Sequence, residues 1–525
     1  MARRLVSLER LPLILMVPAV AYALMRESLV ELAIVLVGFP AVSLLAYHYF
    51  RRKKLPSSVD EKLAALVLHM YAISHGEVGP EDLIKVVADN KDYGYYSRVF
   101  AKIRSLAKNF GYGFTKATSI VAGTVKPPLK DILVRCTAIF STTDPRGFLE
   151  LESSTMAEEY SGYYLRSIES MRLLAGIFST FQSVAIFIIM TLAILTIFMA
   201  DSNMVYYSYA IATCALLVVY LGLRAVVPKD TLVYTDEKYP SKMYRTFRLC
   251  LPIAFAVAGP AVVVALMFGP PYAFLLFGSV LLLPGLLALR LERFVCRVDE
   301  NYPAFIKSLG ENMASTSSLK SALSYVLYME LGPLKTLLQR TLARVRIGIS
   351  NEKSLNLLSS EASSYRVHMT NKIFTDAVYH GGNPLEIGKI LGNNCVRFLE
   401  FRKRRKSVAN SFQAVVVVLQ PITVSLLVIL TTLCGYFSKY LTSLPFFTFG
   451  QIPIGVIEMG NIFIILFMTV MNSLGVKDAK GGFWGTTLLY AGILLILSGA
   501  AWLAIDVMMN LTLGQLPMIE LPTEI

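Results

Sequence analysis

The chain has 525 residues, of which 55% are hydrophobic and 16% charged, and its formal net charge is +14. So apolar a composition excludes an ordinary soluble protein and indicates an integral membrane protein. The six cysteines are scattered and contain no CxxC pair, so the sequence indicates neither a disulfide framework nor a zinc site.

Nine apolar segments are long enough, or nearly so, to cross a bilayer as helices, since a hydrocarbon core about 30 Å thick needs roughly 20 helical residues. The first is the shortest, because Arg10 and Arg26 bound it. A cleaved signal peptide is the alternative there, but no small-residue cleavage site precedes Arg26 and a second apolar segment follows at once. The nine predicted spans lie near residues 11–25, 29–49, 173–199, 204–227, 249–268, 272–289, 411–434, 452–473 and 483–508.

These spans predict an all-α, polytopic membrane protein whose two long hydrophilic stretches are helical bundles. We call residues 50–172 the first polar segment and residues 290–410 the second polar segment. The predicted organisation is two spans in 1–49, the first polar segment 50–172, four spans in 173–289, the second polar segment 290–410, three spans in 411–508 and a tail 509–525.

The distribution of cations predicts the orientation in the cell membrane. With a cytoplasmic N-terminus and nine spans, all but three of the 50 Lys and Arg residues fall on the cytoplasmic side, the exceptions being Arg26, Arg224 and Lys439. Cytoplasmic loops retain such cations, so both polar segments are expected in the cytoplasm and the C-terminus outside the cell. The net positive charge then reflects orientation and contact with membrane lipids, and gives no support to nucleic-acid binding.

The two polar segments look like copies of one unit. Val59-Asp60-Glu61 recurs as Val298-Asp299-Glu300, and Asp144-Pro145 is answered by Asn383-Pro384, in both cases 239 residues later. The same offset aligns Pro80 with Leu319, where a second helix is expected to begin in each copy. Apolar spacing of helical period predicts about six short helices in each unit and no sheet.

Turn motifs near the end of each unit mark the start of its last helix. Asp144 is expected to cap a helix whose first residue is Pro145. Asn383 and Pro384 are expected to do the same after the turn Gly381-Gly382, with Glu386 at the capping-box position.

At this point the residues resemble a known family, the platform or F-domain membrane proteins of type II secretion and type IV pilus machines. The resemblance lies in two helical modules, in Gly381-Gly382-Asn383-Pro384-Leu385-Glu386 near a module's end and in Arg346-Ile347-Gly348 near its middle. Nine spans around two modules look more like the archaeal branch, the J-type platform proteins of archaella and archaeal pili.

That resemblance implies a non-enzymatic platform that assembles a type IV pilus-like filament. It further implies that a hexameric secretion ATPase binds the cytoplasmic modules, that prepilin or archaellin subunits meet the spans, and that the protein is a homodimer. No GxxxxGK[S/T] loop, HExxH pair or GxSxG elbow occurs in the sequence, so we expect no enzymatic activity, cofactor or metal.

The densest run of cations precedes the seventh span and has two interpretations. In the first, the cations keep this end of the span on the cytoplasmic side and contact anionic lipid. In the second, they bind an acidic face of the ATPase. Acidic residues of the repeated tripeptide are the other candidates for partner contact. The predicted partner-binding residues are therefore Arg402, Lys403, Arg404, Arg405 and Lys406, with Asp60, Glu61, Asp299 and Glu300.

Polar residues inside the spans also have two interpretations, hydrogen bonding between helices or a path for a filament subunit. They are Ser179, Thr180, Gln182 and Ser183 in one span and Gln413, Gln420, Thr423 and Ser425 near another. Two other functions stay open at this point. Duplicated membrane halves are also typical of secondary transporters, and paired helical modules also suit a membrane signalling scaffold.

Overall fold

A computed structural model describes residues 59–139, 145–199, 203–236, 239–256, 263, 267–441 and 454–513. Within these ranges every regular element is a helix, and the single isolated β-bridge joins Val233 and Ser364. The all-α prediction is confirmed for the described residues. The predicted spans 11–25 and 29–49, and the predicted cap Asp144, lie outside them.

The first polar segment is a succession of short helices followed by one very long helix. Asp60 caps the first of them, because its carboxylate accepts a hydrogen bond from the Leu63 amide at 2.8 Å. Pro80 is the first residue of the second helix, as predicted. The helices are α1 Glu61–Ile73, α2 Pro80–Asp89, a 3-10 turn Lys91–Tyr93, α3 Tyr95–Asn109, α4 Phe114–Ala122, α5 Leu129–Ile139 and α6 Pro145–Met199.

The second polar segment repeats this order after two intervening helices, α7 Asn203–Val226 and α8 Lys242–Ala256. The predicted helix starts at Leu319, Pro145 and Pro384 are all confirmed. Asn383 accepts a hydrogen bond from the Leu385 amide at 3.0 Å, which satisfies one free amide at the start of the last helix. The helices are α9 Pro270–Thr316, α10 Leu319–Val326, α11 Pro333–Arg346, α12 Asn351–Ala362, α13 Tyr365–Tyr379 and α14 Pro384–Leu441.

Three helices run without a break from polar sequence into apolar sequence. Helices α6, α9 and α14 have 55, 47 and 58 residues, which correspond to lengths of about 80, 70 and 85 Å at 1.5 Å per residue. The sequence-based boundaries at 172/173, 289/290 and 410/411 fall inside these helices. At these three boundaries the polar and apolar parts are thus joined by continuous helix.

Six helices of the described chain are long and apolar enough to cross a membrane, so the chain is a multi-pass membrane protein. They are α6, α7, α9, α14, α15 Ile454–Lys480 and α16 Thr486–Leu513, and they contain six of the nine predicted spans. The remaining three predictions fall wholly or partly outside the described residues, since α8 covers only the beginning of 249–268.

Two hydrophobic cores organise the described residues. One lies among the apolar helices. The other is shared by both polar segments, because it contains Leu63 and Phe100 of the first together with Tyr302 and Phe374 of the second. The two polar segments therefore fold against each other as one unit, which the repeat alone did not predict.

Glycines bring helices α9 and α16 into close contact in the apolar part. A Cβ atom added to Gly278 would lie 2.9 Å from the Gly492 carbonyl oxygen, and one on Gly492 would lie 2.8 Å from the Gly278 carbonyl oxygen. Two turns away, a Cβ on Gly285 would lie 2.6 Å from the Leu489 backbone. Small residues of this kind let membrane helices approach closely enough for backbone atoms to pack.

The polar residues of the seventh predicted span hydrogen-bond between helices. The Gln420 amide donates to Thr469 at 3.0 Å and to Ser498 at 3.3 Å, and it accepts from Asn472 at 2.6 Å. Gln413 accepts from Lys480. Most of the other polar residues donate to carbonyls of their own helix three or four residues earlier, namely Ser179, Thr180, Ser183, Thr423 and Ser425. Gln182 is fully buried, and neither polar atom of its amide has a hydrogen-bond partner among the described residues, whereas the other seven side chains form hydrogen bonds within the helix bundle.

Candidate functional site: a buried charged junction

A loop that leaves the apolar helices pairs with the second polar segment. The Tyr234 amide donates to the Ser363 carbonyl at 2.9 Å, and the Tyr365 amide donates to the Leu232 carbonyl at 3.1 Å. The Tyr234 ring stacks on His368 at 3.8 Å and 9°. The turn between α12 and α13 is thereby fixed to the loop that follows α7.

Arg405 is the centre of the junction, and its side chain is only 2% exposed. Its guanidinium donates to the carbonyls of Asp478 at 2.6 Å, Ala479 at 2.8 Å and Pro228 at 2.9 Å. Helix α15 ends at Lys480, so two of these carbonyls belong to its last turn, where no amide of the helix is available. One side chain of α14 therefore holds the end of α15 and the loop after α7.

Asp230 is the carboxylate partner of Arg405. It accepts from the guanidinium at 2.9 Å and from the Tyr164 hydroxyl at 2.5 Å. Tyr164 belongs to α6, which extends the junction to a third element.

A second buried pair joins α9, α14 and the start of α13. The carboxylate of Asp299, 1% exposed, accepts from the Arg402 guanidinium. It also accepts from the hydroxyl of Ser364, which caps α13 by accepting from the Val367 amide at 3.2 Å. Asp299 is thereby satisfied on both oxygens, as burial of a carboxylate requires.

A third pair crosses between the two polar segments. Arg366 donates to Glu61 at 2.6 Å, and the two side chains are 11% and 7% exposed. The guanidinium carbon of Arg366 also lies 3.4 Å from the centre of the Phe398 ring, in cation–π geometry. Burial raises the pKa of Glu61, while the charge of Arg366 opposes that rise.

Together these pairs form what we call the charged junction, in which three guanidinium groups balance three carboxylates. Its members are Glu61, Asp230, Asp299, Arg366, Arg402 and Arg405. Arginine stays charged at any physiological pH, so the cations of the junction are permanent. Because the members belong to α1, α9, α13, α14 and one loop, a displacement of the polar helices must either move the apolar helices or separate buried charges.

Hydrogen bonds between the polar segments continue beyond the junction. His368 lies 2.9 Å from Asp92 and Lys372 donates to Asn90 at 2.9 Å. The hydrogen bond from His368 lowers the pKa of Asp92. In the first turns of α6 and α14, Arg146 donates to Glu386 at 2.8 Å. Glu386 of the second polar segment therefore pairs with the first polar segment. The sequence had predicted a capping-box role for Glu386 within its own helix.

The fully buried His69 lies where the two polar segments meet, and it is expected to make their contact sensitive to pH. Its Nδ1 lies 2.9 Å from the Tyr93 hydroxyl, and its Nε2, which has no well-aligned hydrogen-bond partner among the described atoms, lies 3.2 Å from the Asp376 carboxylate. Burial lowers the pKa of His69, and Asp376 only partly opposes this. The unfolded chain thus takes up a proton near pH 6.5, where folded His69 does not.

We expect this histidine to make the protein less stable in mild acid. Stability that is present above pH 6.5 should be lost progressively as the pH falls below that value. The check is the apparent Tm of the detergent-solubilised protein between pH 7.5 and 5.5, compared with His69→Gln, whose side chain cannot titrate. The variant should show a flatter profile; an identical slope in both proteins would contradict the assignment.

The predicted partner-binding residues divide into buried and exposed side chains. Arg402, Arg405, Asp299 and Glu61 are committed to the charged junction. Asp60 caps α1 and also accepts from the Tyr96 hydroxyl at 3.0 Å. Residues three apart share a helix face, so Arg402 and Arg405 point inward together. The residues left exposed are Lys403, Arg404, Lys406 and Glu300.

The predicted turn motifs serve the same packing. Gly381 has φ of +84°, a conformation that favours glycine. A Cβ on Gly382 would lie 2.9 Å from the Ala377 carbonyl oxygen. Together with Asn383 and Pro384 they form the tight turn between α13 and α14, and Pro145 begins α6.

Sequence reasoning missed Asp230, Arg366 and Tyr164. Tyr164 and Asp230 are 66 residues apart, and Glu61 and Arg366 are 305 residues apart. No local pattern links residues at such separations. For Asp230 and Arg366 the sequence offered one signal, which was a charged residue in a short loop or helix that the pattern of apolar residues did not explain.

Comparison with known proteins gives two relatives with the same name, flagella accessory protein J. The chain is 26% identical to the protein of Methanocaldococcus jannaschii over 400 residues and 25% identical to that of Methanococcus voltae over 392 residues. Each match covers 71% of this chain and 70% of the relative. No family model and no solved structure matches. The relatives support the archaellum-assembly side of the resemblance, while its secretion-system side finds no support among family models.

Proposed function

We propose that this chain is the membrane platform on which a type IV pilus-like filament, an archaellum or an adhesion pilus, is assembled. The observation that carries the proposal is its similarity to two flagella accessory J proteins over 71% of its length. The partners would be a hexameric secretion ATPase in the cytoplasm, prepilin or archaellin subunits in the membrane, and a second copy of the chain.

In this proposal the two polar segments are copies of one cytoplasmic module, with nine spans, an inner N-terminus and an outer C-terminus. Support comes from the helix starts at Pro80 and Leu319 and at Pro145 and Pro384, which keep the offset of the sequence repeat. The shared core makes the two modules one body, so an ATPase that moves one of them moves both.

Motion would pass to the membrane through α6, α9 and α14, which are continuous from module to span. Close-packed interiors transmit displacement because they have no free volume to absorb it. The charged junction fixes these helices to one another where polar and apolar sequence meet. Filament subunits would meet an exposed apolar face of α6, formed by Leu173, Ile177, Phe181, Val184 and Phe187.

Gene deletion and complementation test this function. Loss of the chain should abolish one surface filament, and the wild-type gene should restore it. Identifying the lost filament distinguishes an archaellum from an adhesion pilus. A deletion strain that keeps all of its filaments would overturn the proposal.

The contact with the ATPase has its own test at the exposed cations of α14. Replacing Lys403, Arg404 and Lys406 with glutamine should weaken capture of the cell's secretion ATPase by the purified protein. Stability should change by less than about 0.5 kcal/mol, since these side chains are exposed. A matched control places three Lys or Arg to Gln changes at exposed positions of other helices, Lys320, Arg346 and Lys353. Equal capture by both variants would remove this surface from the proposal without touching the filament phenotype.

A further inference from the structure

A cavity of about 810 Å³ lies between the beginning of α8 and helices α11 and α12. Five cations and one carboxylate line it. Its apolar and aromatic lining includes Met243, Tyr244, Phe294, Leu337 and Leu357. The charged lining residues are Lys242, Arg245, Arg248, Arg340, Arg344 and Glu361.

The cavity lies where apolar sequence gives way to polar sequence. Arg248 is the last cation before the apolar stretch of α8. Phe294 follows the predicted span 272–289 on α9 by five residues. Tyr239 and Tyr244 add phenol rings, which are typical of the headgroup level of a membrane. The cavity therefore opens at the depth of lipid headgroups on the side of the polar segments.

The positive charge of the cavity is neutralised only in part within the described residues. Lys242, Arg245 and Arg248 are exposed and form no ion pair there. Glu361 pairs with Arg344 and lies 4.0 Å from Arg340. The Arg344 Nη1 is buried without a hydrogen-bond acceptor among the described atoms. The Glu361 Oε2 is buried without a donor in the same way, so the positive charge open to the cavity comes from the exposed cations.

We propose that this cavity binds an anionic phospholipid from the leaflet that faces the polar segments. Guanidinium groups match the geometry of a phosphate and bind it through paired hydrogen bonds. The first part of an acyl chain would cover the apolar wall of the cavity. A water-soluble phosphate compound would leave that wall exposed to water. Basic pockets between membrane helices are a recognised way to hold such headgroups. Binding of a phospholipid in this cavity does not depend on the proposed role in filament assembly.

A lipid in this site would add a contact to α8, whose Phe247 already packs on Phe483 and Trp484. No ion pair ties the exposed cations of this helix to α11 among the described residues. A bound phosphate shared by Arg245 and Arg340 would link α8 to the second polar segment. The lipid would then act as a structural bridge at the membrane surface.

The test uses the full-length protein in nanodiscs that contain phosphatidylcholine with a minor fraction of phosphatidylglycerol. Retention of phosphatidylglycerol is measured by native mass spectrometry after release into detergent. Replacing Arg245, Arg248 and Arg340 with glutamine should weaken retention about fivefold per cation, or about 100-fold in total. The control with Lys320, Arg346 and Lys353 replaced by glutamine carries the same change in net charge and should retain the lipid.

A second variant separates the cavity from general surface charge. Thr336 lines the cavity and is exposed, so Thr336→Trp should fill the space without altering charge, and retention should fall at least tenfold. Full retention by Thr336→Trp, or equal loss in the charge control, would overturn the proposal. Displacement of the lipid by equimolar glycerol phosphate would overturn it too, because it would identify a site for a soluble phosphate.

Discussion

Replacing Arg405 with methionine should lower the free energy of unfolding by about 3–5 kcal/mol, the usual cost of removing one partner of a buried ion pair. The change leaves Asp230, 9% exposed, without its cation. It also leaves the carbonyls of Pro228 and Ala479 without a donor, and the Asp478 carbonyl keeps only the Gly481 amide at 3.3 Å. Thermal unfolding of the detergent-solubilised protein should show a clearly lower apparent Tm.

The neighbouring residue provides the control for Arg405. Arg404 is exposed on the same helix, so Arg404→Met should change stability by no more than about 0.5 kcal/mol. The double variant Arg405→Met with Asp230→Leu should recover part of the loss, since replacing both members of a buried pair is often close to neutral. Equal stability of Arg405→Met and Arg404→Met would show that the charged junction does not hold the helices together.

Replacing Gly285 with leucine should cost about 3 kcal/mol, at the upper end of what overpacking does. A Cβ at this position would lie 2.6 Å from backbone atoms of Leu489, and a backbone cannot move aside as a flexible side chain does. Helices α9 and α16 would have to separate along their contact. The expected measurements are a lower apparent Tm and faster proteolysis of the solubilised protein.

Gly176 is the matched control for Gly285, because it also lies in an apolar helix but has no atom within 4 Å of an added Cβ. Gly176→Leu should therefore leave the apparent Tm near that of the wild-type protein. The two variants share the gain in helix propensity and in apolar surface. Equal losses at both positions would mean that close packing of α9 on α16 is not important for stability.

The sequence predicted those features that local chemistry determines. Apolar runs marked six helices that the structure finds suitable for spanning a membrane. Proline at a first helical position, together with a capping residue, marked the starts at Pro80, Pro145 and Pro384. Each of these signals depends on neighbours within one or two turns, and a sequence displays such neighbours directly.

Long-range features were not accessible in the same way. The five consecutive cations on α14 look alike in the sequence, yet Arg402 and Arg405 are inward and the other three are exposed. Which face points inward depends on Asp299 and Asp230, far away along the chain. The continuity of α6, α9 and α14 was not predicted for a related reason, because the end of an apolar run is not the end of a helix.

The continuity of α14 has a geometric consequence for any force applied at its polar end. A helix of 58 residues is about 85 Å long, so a tilt of about 5° about one end displaces the other by roughly 7 Å, most of a helix diameter. Angular strain of a few degrees at the polar end would thus become a lateral step in the bilayer.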